Sequence, residues 1–427
     1  MGKINYEGCT LGDAVMTLQK VFDSLNEGLE KHGERVAYLV LKLMREKGYY
    51  DKETIRVMVI LGFLHDIGAY KTENLDDLLK FEVEYPHEHS IYGYLFLKCF
   101  SPYEKWANII LYHHIPYRVI KDDKINDSHL KLGVLIHFLD RIDILVRSGE
   151  NYEDINFNSW RNKLFFEEDI DAFIKLNAKE GVYNKLKTGE YRSELYEYLN
   201  KEKVEGYKVI ELIIMIVYII DFLSRSTVSH STNVGLISKD LYERFIQGNF
   251  TTEEMELTGF VHDIGKITTP VTILEKNEKL TNEEMKIMKK HVKKSEEILT
   301  GFGLNHIAKI AGAHHEKLDG SGYPLGRTKD EIPLEARFLA VIDVFSALVE
   351  KRAYKKPMEK DEVLKLSRKQ AIENKLEFYI VELISENYEE IIQNVRGTEK
   401  ILNKKYDEIE IEFNRLSKKM ANIMNKI

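Results

Sequence analysis

Apolar residues recur along this chain mostly three or four positions apart, a spacing that predicts amphipathic helices. The stretches LKLGVLIHFLDRIDILV and LEARFLAVIDVFSALVE keep this spacing throughout, and few stretches show the alternation that indicates a strand. The most apolar run is LIIMIVYII, between Glu211 and Asp221. It is shorter than the ~20 residues that a membrane span needs, so we predict a buried core helix in an all-α fold.

Histidines and acidic residues recur in the same order in two parts of the chain, and each part contains the motif HDIG. The first series is His32, His65, Asp66, His89, His113, His114 and Asp140, and the second is His230, His262, Asp263, His291, His314, His315 and Asp343. The flanking sequences also match, with GFL before one HDIG and GFV before the other. Such self-similarity indicates a duplicated domain, with copies at roughly 20–147 and 215–358.

The domain organisation follows from this duplication. We assign 1–147 to an N-terminal domain, 148–205 to a charged helical connecting segment, 206–358 to the second domain and 359–427 to a helical tail. The connecting segment packs on the first copy or bridges the two copies. From Leu402 to Ile427 the apolar spacing alternates between four and three, which is typical of a heptad stripe. This stripe predicts either a homodimeric coiled coil through 402–427 or a helix that lies against its own domain.

Composition narrows the function classes. The formal net charge is −8, whereas a nucleic-acid-binding domain usually carries a basic excess. We therefore expect no nucleic acid polymer as a partner, and the apolar pattern gives no reason to expect a membrane. The only two cysteines, Cys9 and Cys99, provide no disulfide framework, which fits a reducing cytoplasm. No signal peptide is recognisable at the N-terminus.

Each series combines five histidines with two aspartates. Imidazole and carboxylate ligands together suit iron, manganese, zinc or nickel, and the absence of cysteine argues against a structural zinc site. Such a series has more donors than one tetrahedral ion needs, and an aspartate beside a histidine on the same helix can bridge two ions. Two metal ions about 3.5–4 Å apart are the arrangement that hydrolyses phosphate esters. Both copies are therefore predicted to bind metal.

The spaced series resembles the HD superfamily of metal-dependent phosphohydrolases. The second copy is also similar to the HD-GYP family, because HHEKLDGSGYPLG at 314–326 contains its paired histidines, its glutamate and its Gly-Tyr-Pro triplet. The resemblance implies tandem HD-type helical bundles with a C-terminal helical or coiled-coil tail. It also implies a phosphodiesterase that hydrolyses cyclic di-GMP to pGpG through a metal-bridging hydroxide, with further cleavage to GMP left open.

The resemblance also implies roles for residues of the second copy. The second series would hold two divalent ions, iron or manganese, and Lys266 and Asp263 would be catalytic. The implied substrate-binding residues are Arg352, Lys355, Tyr323, Gly322 and Pro324. Alternatives remain open, since Lys266 can be an exposed salt-bridge partner and the two basic residues can be solvated charges. Tyr323 can stack on a guanine, or the loop can serve only as a rigid shape.

The chain departs from the family pattern at two positions of the second copy. Ser226 replaces the glutamate that binds a third metal in some members, so two ions are expected. Ser346 replaces the second aspartate of the usual DVFDAL, which puts substrate fit and helix contacts in doubt. The first copy keeps every donor, but it lacks Gly-Tyr-Pro and has Ala69 where the second copy has Lys266. We therefore expect its metal site to have a different substrate or a sensory role.

Three other functions are compatible with the same residues. The substrate can be a related cyclic dinucleotide, such as cyclic GMP-AMP. The second domain can be a receptor that captures the nucleotide with little turnover, or the first domain can be the main enzyme and act on another nucleotide. The presence of Lys266 and of the complete second series favours turnover in the second domain.

Overall fold

The computed structural model describes residues 8–23, 30–72, 87–122, 128–201, 206–222, 228–246, 248–276, 278–350 and 357–424. Within these ranges the regular elements are α-helices and short 3₁₀ helices, with no strand, which confirms the predicted all-α class. None of the helices in these ranges combines the length and apolar character needed to cross a membrane. The chain divides into a first unit, Thr10–Val204 with Ile409–Ile427, and a second unit, Glu205–Glu408 with Gly8 and Cys9.

The first unit is built from short and medium-length helices. Its helices are α1 (Leu11–Asp23), α2 (His32–Lys47), α3 (Lys52–Leu64), α4 (Ala69–Thr72), α5 (His87–Phe100), α6 (Ala107–Leu111), α7 (Tyr117–Asp122), α8 (Ser128–Arg147), α9 (Glu167–Glu180), α10 (Val182–Thr188) and α11 (Tyr191–Lys201). The predicted stretch LKLGVLIHFLDRIDILV forms most of α8, whose apolar positions are largely buried. The pattern therefore located this helix to within a few residues.

The second unit repeats several of these helices. Its helices are α12 (Gly206–Asp221), α13 (His230–Phe245), α14 (Thr252–Val261), α15 (Val271–Leu274), α16 (Asn282–Gly301), α17 (Asn305–Ala311), α18 (Leu334–Val349), α19 (Lys360–Ile372), α20 (Phe378–Glu386) and α21 (Tyr388–Met424). The apolar run LIIMIVYII lies within α12, where Ile213, Met215 and Ile216 are fully buried. The prediction of a buried core helix is thus confirmed.

The two units place the histidines and aspartates at matching points of matching helices. His32 and His230 are the first residues of α2 and α13. His65 and His262 cap the C-terminal ends of α3 and α14, and each following aspartate lies beyond the helix. The paired histidines follow α6 and α17, while the last aspartate of each series lies within α8 or α18. The duplication predicted from sequence is therefore present in the fold.

The glycine of each HDIG motif lies against the helix that contributes the next histidine. A Cβ atom at Gly265 would lie 2.0 Å from the carbonyl oxygen of His291 in α16, and one at Gly68 would lie 1.9 Å from the carbonyl oxygen of His89 in α5. Neither distance is compatible with a side chain. Only glycine therefore allows the HDIG turn to approach the neighbouring helix, which explains why both copies have glycine at this position.

The segment between the two copies belongs to the first unit in its described part. Phe173 of α9 is fully buried, and its ring centroid lies 5.6 Å from that of Phe138 in α8. Trp160 and Phe165 join the same aromatic cluster. Of the two arrangements left open by the sequence, the described residues of this segment show packing on the first copy.

The last helix, α21, contributes to both units. Up to Glu408 it belongs to the second unit, where Tyr406 stacks on Phe222. From Ile409 it belongs to the first unit, in which Leu416 and Met420 are buried. In the same unit the ring of Phe413 stacks on that of Tyr92, with 4.2 Å between the centroids. The described part of the predicted heptad stripe thus packs within the two units of this chain, and the homodimeric coiled coil through 402–427 stays a prediction.

Candidate metal centres

The second unit brings all seven residues of the second series into one cluster. The cluster comprises two groups whose possible ligand atoms lie within 4.8 Å of one another: Asp263, His291, His314 and His315, and His230, His262 and Asp343. Six of these residues are buried, and the side chain of His315 keeps 23% of its surface exposed. Residues that are up to 113 positions apart in sequence, such as His230 and Asp343, thus face a common point.

Asp263 lies between the two groups and directs one oxygen atom to each. Its Oδ1 is 3.1 Å from Nε2 of His291 and 3.7 Å from Nε2 of His314. Its Oδ2 is 3.2 Å from Nε2 of His262 and 3.8 Å from Nε2 of His230. A carboxylate in this position can bridge two cations, as the sequence predicted for the aspartate of HDIG. It does so from the turn after α14, however, and not from the same helix as His262.

The hydrogen bonds of the imidazole rings leave their Nε2 atoms facing this point. The Nδ1 atoms of His262, His291 and His314 each donate to the carbonyl oxygen three residues earlier, at 2.7, 2.6 and 2.6 Å. Such bonds fix the ring orientation and the tautomer. Among the described residues, the Nε2 atoms of these three rings are buried without a hydrogen-bond partner, and so is Oδ1 of Asp263.

Buried polar atoms without partners are costly, and a cation would satisfy all four of them. Neutral imidazole nitrogen and carboxylate oxygen are also suitable ligands for divalent transition metals. The residues of the cluster therefore fit a divalent metal centre, and the His/Asp clusters could hold metal ions.

The carboxylates of the cluster are held in their ionised form. Burial raises the pKa of Asp263, but the charges of Lys266 and His262 outweigh it and hold the pKa well below its usual value. The pKa of Asp343 is also held well below its usual value, because the imidazole groups of His230 and His262, with Nε2 atoms 3.3 and 3.6 Å from its Oδ1, outweigh burial. Burial lowers the pKa of His262, but Asp263 and Asp343 raise it to about 10. A divalent cation would therefore compete with protons at this site.

The cluster lies at one side of a cavity of about 720 Å³. Metal-cluster residues, Lys266 and Tyr323 line the cavity together with an apolar wall that includes Ile273, Leu274 and Met288. The ammonium group of Lys266 pairs with Oδ2 of Asp263, and 25% of the lysine side chain is exposed. Lys266 is therefore at the metal cluster and in contact with the cavity. Three further expected positions, Ser226, Arg352 and Lys355, lie outside the described residues.

The Gly-Tyr-Pro loop is held in place by Glu316. This buried carboxylate accepts hydrogen bonds from the backbone N–H groups of Leu325, at 2.7 Å, and Arg327, at 2.9 Å. A Cβ atom at Gly322 would lie 2.3 Å from the backbone nitrogen of Lys317, so glycine is required there. No role for Glu316 was predicted from the sequence, although its place in the HHE motif could have indicated one.

Tyr323 packs on one of the cluster histidines. Its ring centroid lies 4.8 Å from that of His315, and the ammonium group of Lys289 lies 4.8 Å from the Tyr323 ring centroid. Tyr323 also lines the cavity. Pro324 follows it through a cis peptide bond. The loop thus positions a tyrosine ring at the boundary between the metal cluster and the cavity.

The first unit brings its own series together in the same way. Asp66 places Oδ1 at 3.4 Å from Nε2 of His89 and 3.7 Å from that of His113. Its Oδ2 lies 3.3 Å from Nε2 of His65 and 3.5 Å from that of His32. The groups able to hold a metal ion are Asp66, His89, His113 and His114, and His32, His65 and Asp66.

The first cluster differs from the second around its last aspartate. Oδ1 of Asp140 lies 3.4 Å from Nε2 of His32, but its Oδ2 accepts a hydrogen bond from the guanidinium group of Arg141 at 2.6 Å. A second difference is an additional histidine for which no role was predicted from the sequence. The ring of His137 lies 5.1 Å from that of His114. The surroundings of the two clusters therefore differ more than the donors themselves.

Comparisons with known proteins agree with this duplicated arrangement. One HD domain family matches residues 29–145 and another HD domain family matches residues 221–376. The chain is 26% identical to 3'3'-cGAMP-specific phosphodiesterase 1 of Vibrio cholerae over 412 residues, which are 92% of this chain and 95% of that protein. It is 46% identical over 113 residues to the cyclic di-GMP phosphodiesterase response regulator RpfG of Xanthomonas campestris, which is 26% of this chain and 30% of that one.

A solved structure shares the fold over nearly the whole chain. The crystal structure of a cyclic GMP-AMP-specific phosphodiesterase of Vibrio cholerae (V-cGAP3) aligns with a TM-score of 0.54 and 16% identity, covering 91% of this chain and 98% of that one. Two HD domains, each with a His/Asp cluster, make this chain a tandem HD-domain protein. Both of these relatives are named as phosphodiesterases, which agrees with the expected kinship with HD-GYP-type phosphodiesterases and with the expectation of a hydrolase.

Proposed function

We propose that the second unit is a metal-dependent phosphodiesterase that hydrolyses cyclic di-GMP to linear pGpG, with further cleavage to GMP left open. The observation that supports this most directly is Asp263, which faces two groups of donors at the edge of a cavity of about 720 Å³. That volume lies within the range of small-molecule binding sites. The relatives named as phosphodiesterases of cyclic dinucleotides support the substrate class.

We propose that the seven residues of the second series hold two divalent ions, iron or manganese. When bound, the ions would activate water and stabilise the negative charge that develops on the reacting phosphate. The chain's own contribution is to orient the ligands through backbone carbonyl groups and to keep both aspartates ionised. The mixture of imidazole and carboxylate without thiolate suits either metal.

We propose that the remaining site residues bind and orient the substrate. Lys266 supplies a positive charge to the phosphate or to the leaving oxygen, since its ammonium group lies at both the cluster and the cavity. Tyr323, with Gly322 and Pro324, forms one edge of the substrate site. Arg352 and Lys355 belong to the proposal as phosphate-binding residues on the basis of the family resemblance alone.

A second candidate substrate is 3'3'-cyclic GMP-AMP. The relative that matches this chain over both units is named as specific for that nucleotide, whereas the cyclic di-GMP phosphodiesterase RpfG matches over 113 residues. The apolar wall of the cavity can accept either purine base. We therefore extend the proposal to this substrate as the alternative.

We propose that the first unit contains a further metal site formed by His32, His65, Asp66, His89, His113, His114 and Asp140. Asp66 faces two groups of histidines there, as Asp263 does in the second unit. The first copy has Ala69 in place of Lys266, and a loop without Gly-Tyr-Pro. This site therefore serves another substrate or a sensory role.

The proposal is tested by turnover of the metal-reconstituted full chain. The protein is loaded separately with iron and with manganese and is incubated with cyclic di-GMP, 3'3'-cyclic GMP-AMP and cyclic di-AMP. Chromatography of the products identifies the preferred substrate and shows whether cleavage stops at the linear dinucleotide. We expect linear product from cyclic di-GMP, and binding of all three nucleotides without any product would contradict the assignment.

A further inference from the structure

His230 differs from His262, His291 and His314 in what holds its ring. The Nδ1 atoms of His262, His291 and His314 donate to backbone carbonyl groups. His230 is the first residue of α13, and its Nδ1 instead donates to the side chain of Glu350, at 3.0 Å from Oε2. Its Nε2 lies 3.3 Å from Oδ1 of Asp343. The orientation of the His230 ring therefore depends on the carboxylate of Glu350, which is 120 positions away in the sequence.

Glu350 is itself held by two buried residues. Its Oε1 accepts hydrogen bonds from Nδ2 of Asn233 and from Oγ of Ser346, both at 2.7 Å. Glu350 follows the end of α18 and is 3% exposed, while Asn233 and Ser346 are at most 1% exposed. Both oxygen atoms of the carboxylate are thus satisfied, which gives it one orientation in the protein interior.

In the first unit a different residue orients the corresponding histidine, His32. There Nδ1 of His32 donates to Oδ2 of Asp143 at 2.7 Å, and the guanidinium group of Arg35 also binds Asp143. Asp143 lies three residues after Asp140, which is the position that Ser346 occupies after Asp343. Arg35 and Asn233 likewise lie three residues after the first histidine of their series.

The geometry points to Glu350 as the positioning residue of His230, with the carboxylate moved one helical turn from the position of Ser346. Serine is too short to reach the imidazole from that position, so its hydroxyl group binds the glutamate that does reach it. Ser346 is therefore part of a replacement arrangement, and this resolves the doubt that the altered DVFSAL motif raised. This inference rests on the proposed function of His230 as a metal ligand.

Mn²⁺ binding by the full chain tests this role without relying on turnover. All variants carry His65→Ala/Asp66→Ala, so that the second cluster dominates the bound metal. The parent for these comparisons is the chain with this double substitution alone. Loss of a residue that orients a metal ligand typically lowers metal affinity by about 10–100-fold. We expect a loss in this range for Glu350→Ala and a smaller loss for Glu350→Gln, which keeps the volume and a hydrogen-bond acceptor.

The decisive variant moves the carboxylate back to the position that it has in the first unit. Glu350→Ala/Ser346→Asp should recover most of the lost Mn²⁺ affinity, because Asp143 reaches His32 from that position. Glu335→Gln is the matched control. Glu335 is a buried glutamate at the start of α18, but it binds Tyr242 and the backbone of Asn249 and not His230. Its Mn²⁺ affinity should equal that of the parent.

Two results would overturn the inference. One is a Glu350→Gln variant that binds Mn²⁺ as tightly as the parent. The other is a Glu350→Ala/Ser346→Asp variant that regains the melting temperature of the parent but not its Mn²⁺ affinity, because a carboxylate at the position of Asp143 would then restore the fold without orienting His230. Failure of the parent to bind Mn²⁺ at the second cluster would instead contradict the proposed function, so the two failures are distinguishable.

Discussion

Lys266 is the residue whose chemistry most clearly separates the two HDIG motifs. It follows the second motif directly, pairs with Asp263 and lines the cavity. The first motif is followed by Ala69, which is buried. Since the histidines and Asp263 provide the donors, the charge of Lys266 is not needed to complete a metal site. Its place at the cavity instead suits contact with an anionic substrate.

We therefore expect Lys266→Ala to keep its metal and to lose most of its turnover. Removal of one group that stabilises transition-state charge costs about 10²–10³ in kcat, and a loss of this size is expected. Metal analysis and initial rates on the same sample make the measurement, with Lys239→Ala, a surface lysine of α13, as the control. Loss of metal in Lys266→Ala would show that the lysine is structural.

Asp221 is a buried acid that lines the same cavity. Burial raises its pKa to about 7, although His230, Ser231 and Lys266 each act to lower it and Asp263 acts to raise it. Ser231 donates a hydrogen bond to its Oδ1 at 2.9 Å. Because its pKa in the fold exceeds the ordinary 3.8, its contribution to stability is fully present below about pH 4 and is lost as the pH rises through 7.

This sign leads to a prediction for Asp221→Asn in the metal-free protein. Between about pH 4 and pH 7 the carboxyl group of Asp221 holds a proton in the folded state that it lacks in the unfolded state. The free energy of unfolding therefore falls by up to about 1.4 kcal/mol for each unit by which the pH rises in this range. The amide has no such proton. We expect the variant to melt above the parent at pH 8 and the difference to shrink towards pH 4, as measured by calorimetry with chelator present. A difference that does not change with pH would contradict the raised pKa.

At the scale of single residues, the sequence predicted the metal-donor residues better than the residues that orient them. The repeated series identified every residue of both clusters, because each donor type recurs in the same order. Glu350 was not predicted to contact His230, since 120 positions separate the two residues. The corresponding histidine of the first copy, His32, is bound by Asp143, whose position in the repeat differs from that of Glu350. Contacts of this kind depend on how the helices pack, and no local pattern encodes them.

At the scale of elements, the close contact between the HDIG turn and the next helix should be sensitive to a single methyl group. We expect Gly265→Ala to destabilise the second unit by at least about 1–3 kcal/mol, the usual cost of overpacking, because the added Cβ would displace α16 and with it His291. Chemical denaturation and metal content together make the test.

Gly397→Ala is the matched control for that substitution. Gly397 lies within α21, and a Cβ atom there would meet nothing within 4 Å. Alanine has a higher helix propensity than glycine, so this variant should be as stable as the parent or more stable by up to about 1 kcal/mol. Equal stability of the two glycine variants would contradict the close contact.

The helices themselves were predicted more completely than the way in which they pack. Apolar spacing located α8 and α18 because their buried faces repeat every three or four residues. The same spacing left two arrangements open for 402–427. The stacking of Phe413 on Tyr92, which comes from another part of the chain, could not be predicted from this spacing. Periodicity reveals which face of a helix is buried, but not what covers it.

At the scale of the whole molecule, the two clusters should be separable in function. His65→Ala/Asp66→Ala should remove about half of the bound metal, because the two clusters have the same donor types, and should leave cyclic di-GMP hydrolysis largely intact. The physical reason is that the Gly-Tyr-Pro loop and Lys266 occur only with the second cluster, and orientation of the phosphate needs such groups. Abolished hydrolysis in a folded variant would show that the units are catalytically coupled.

The most direct test of the second unit as the phosphodiesterase uses His262→Ala/Asp263→Ala in the full chain. Bound iron or manganese and hydrolysis of cyclic di-GMP are measured on the same preparation, beside the parent protein and with its melting temperature recorded. Because Asp263 faces both groups of donors, the variant should lose the metal of the second cluster and all detectable hydrolysis while remaining folded. Undiminished turnover of cyclic di-GMP by the folded variant would contradict the assignment.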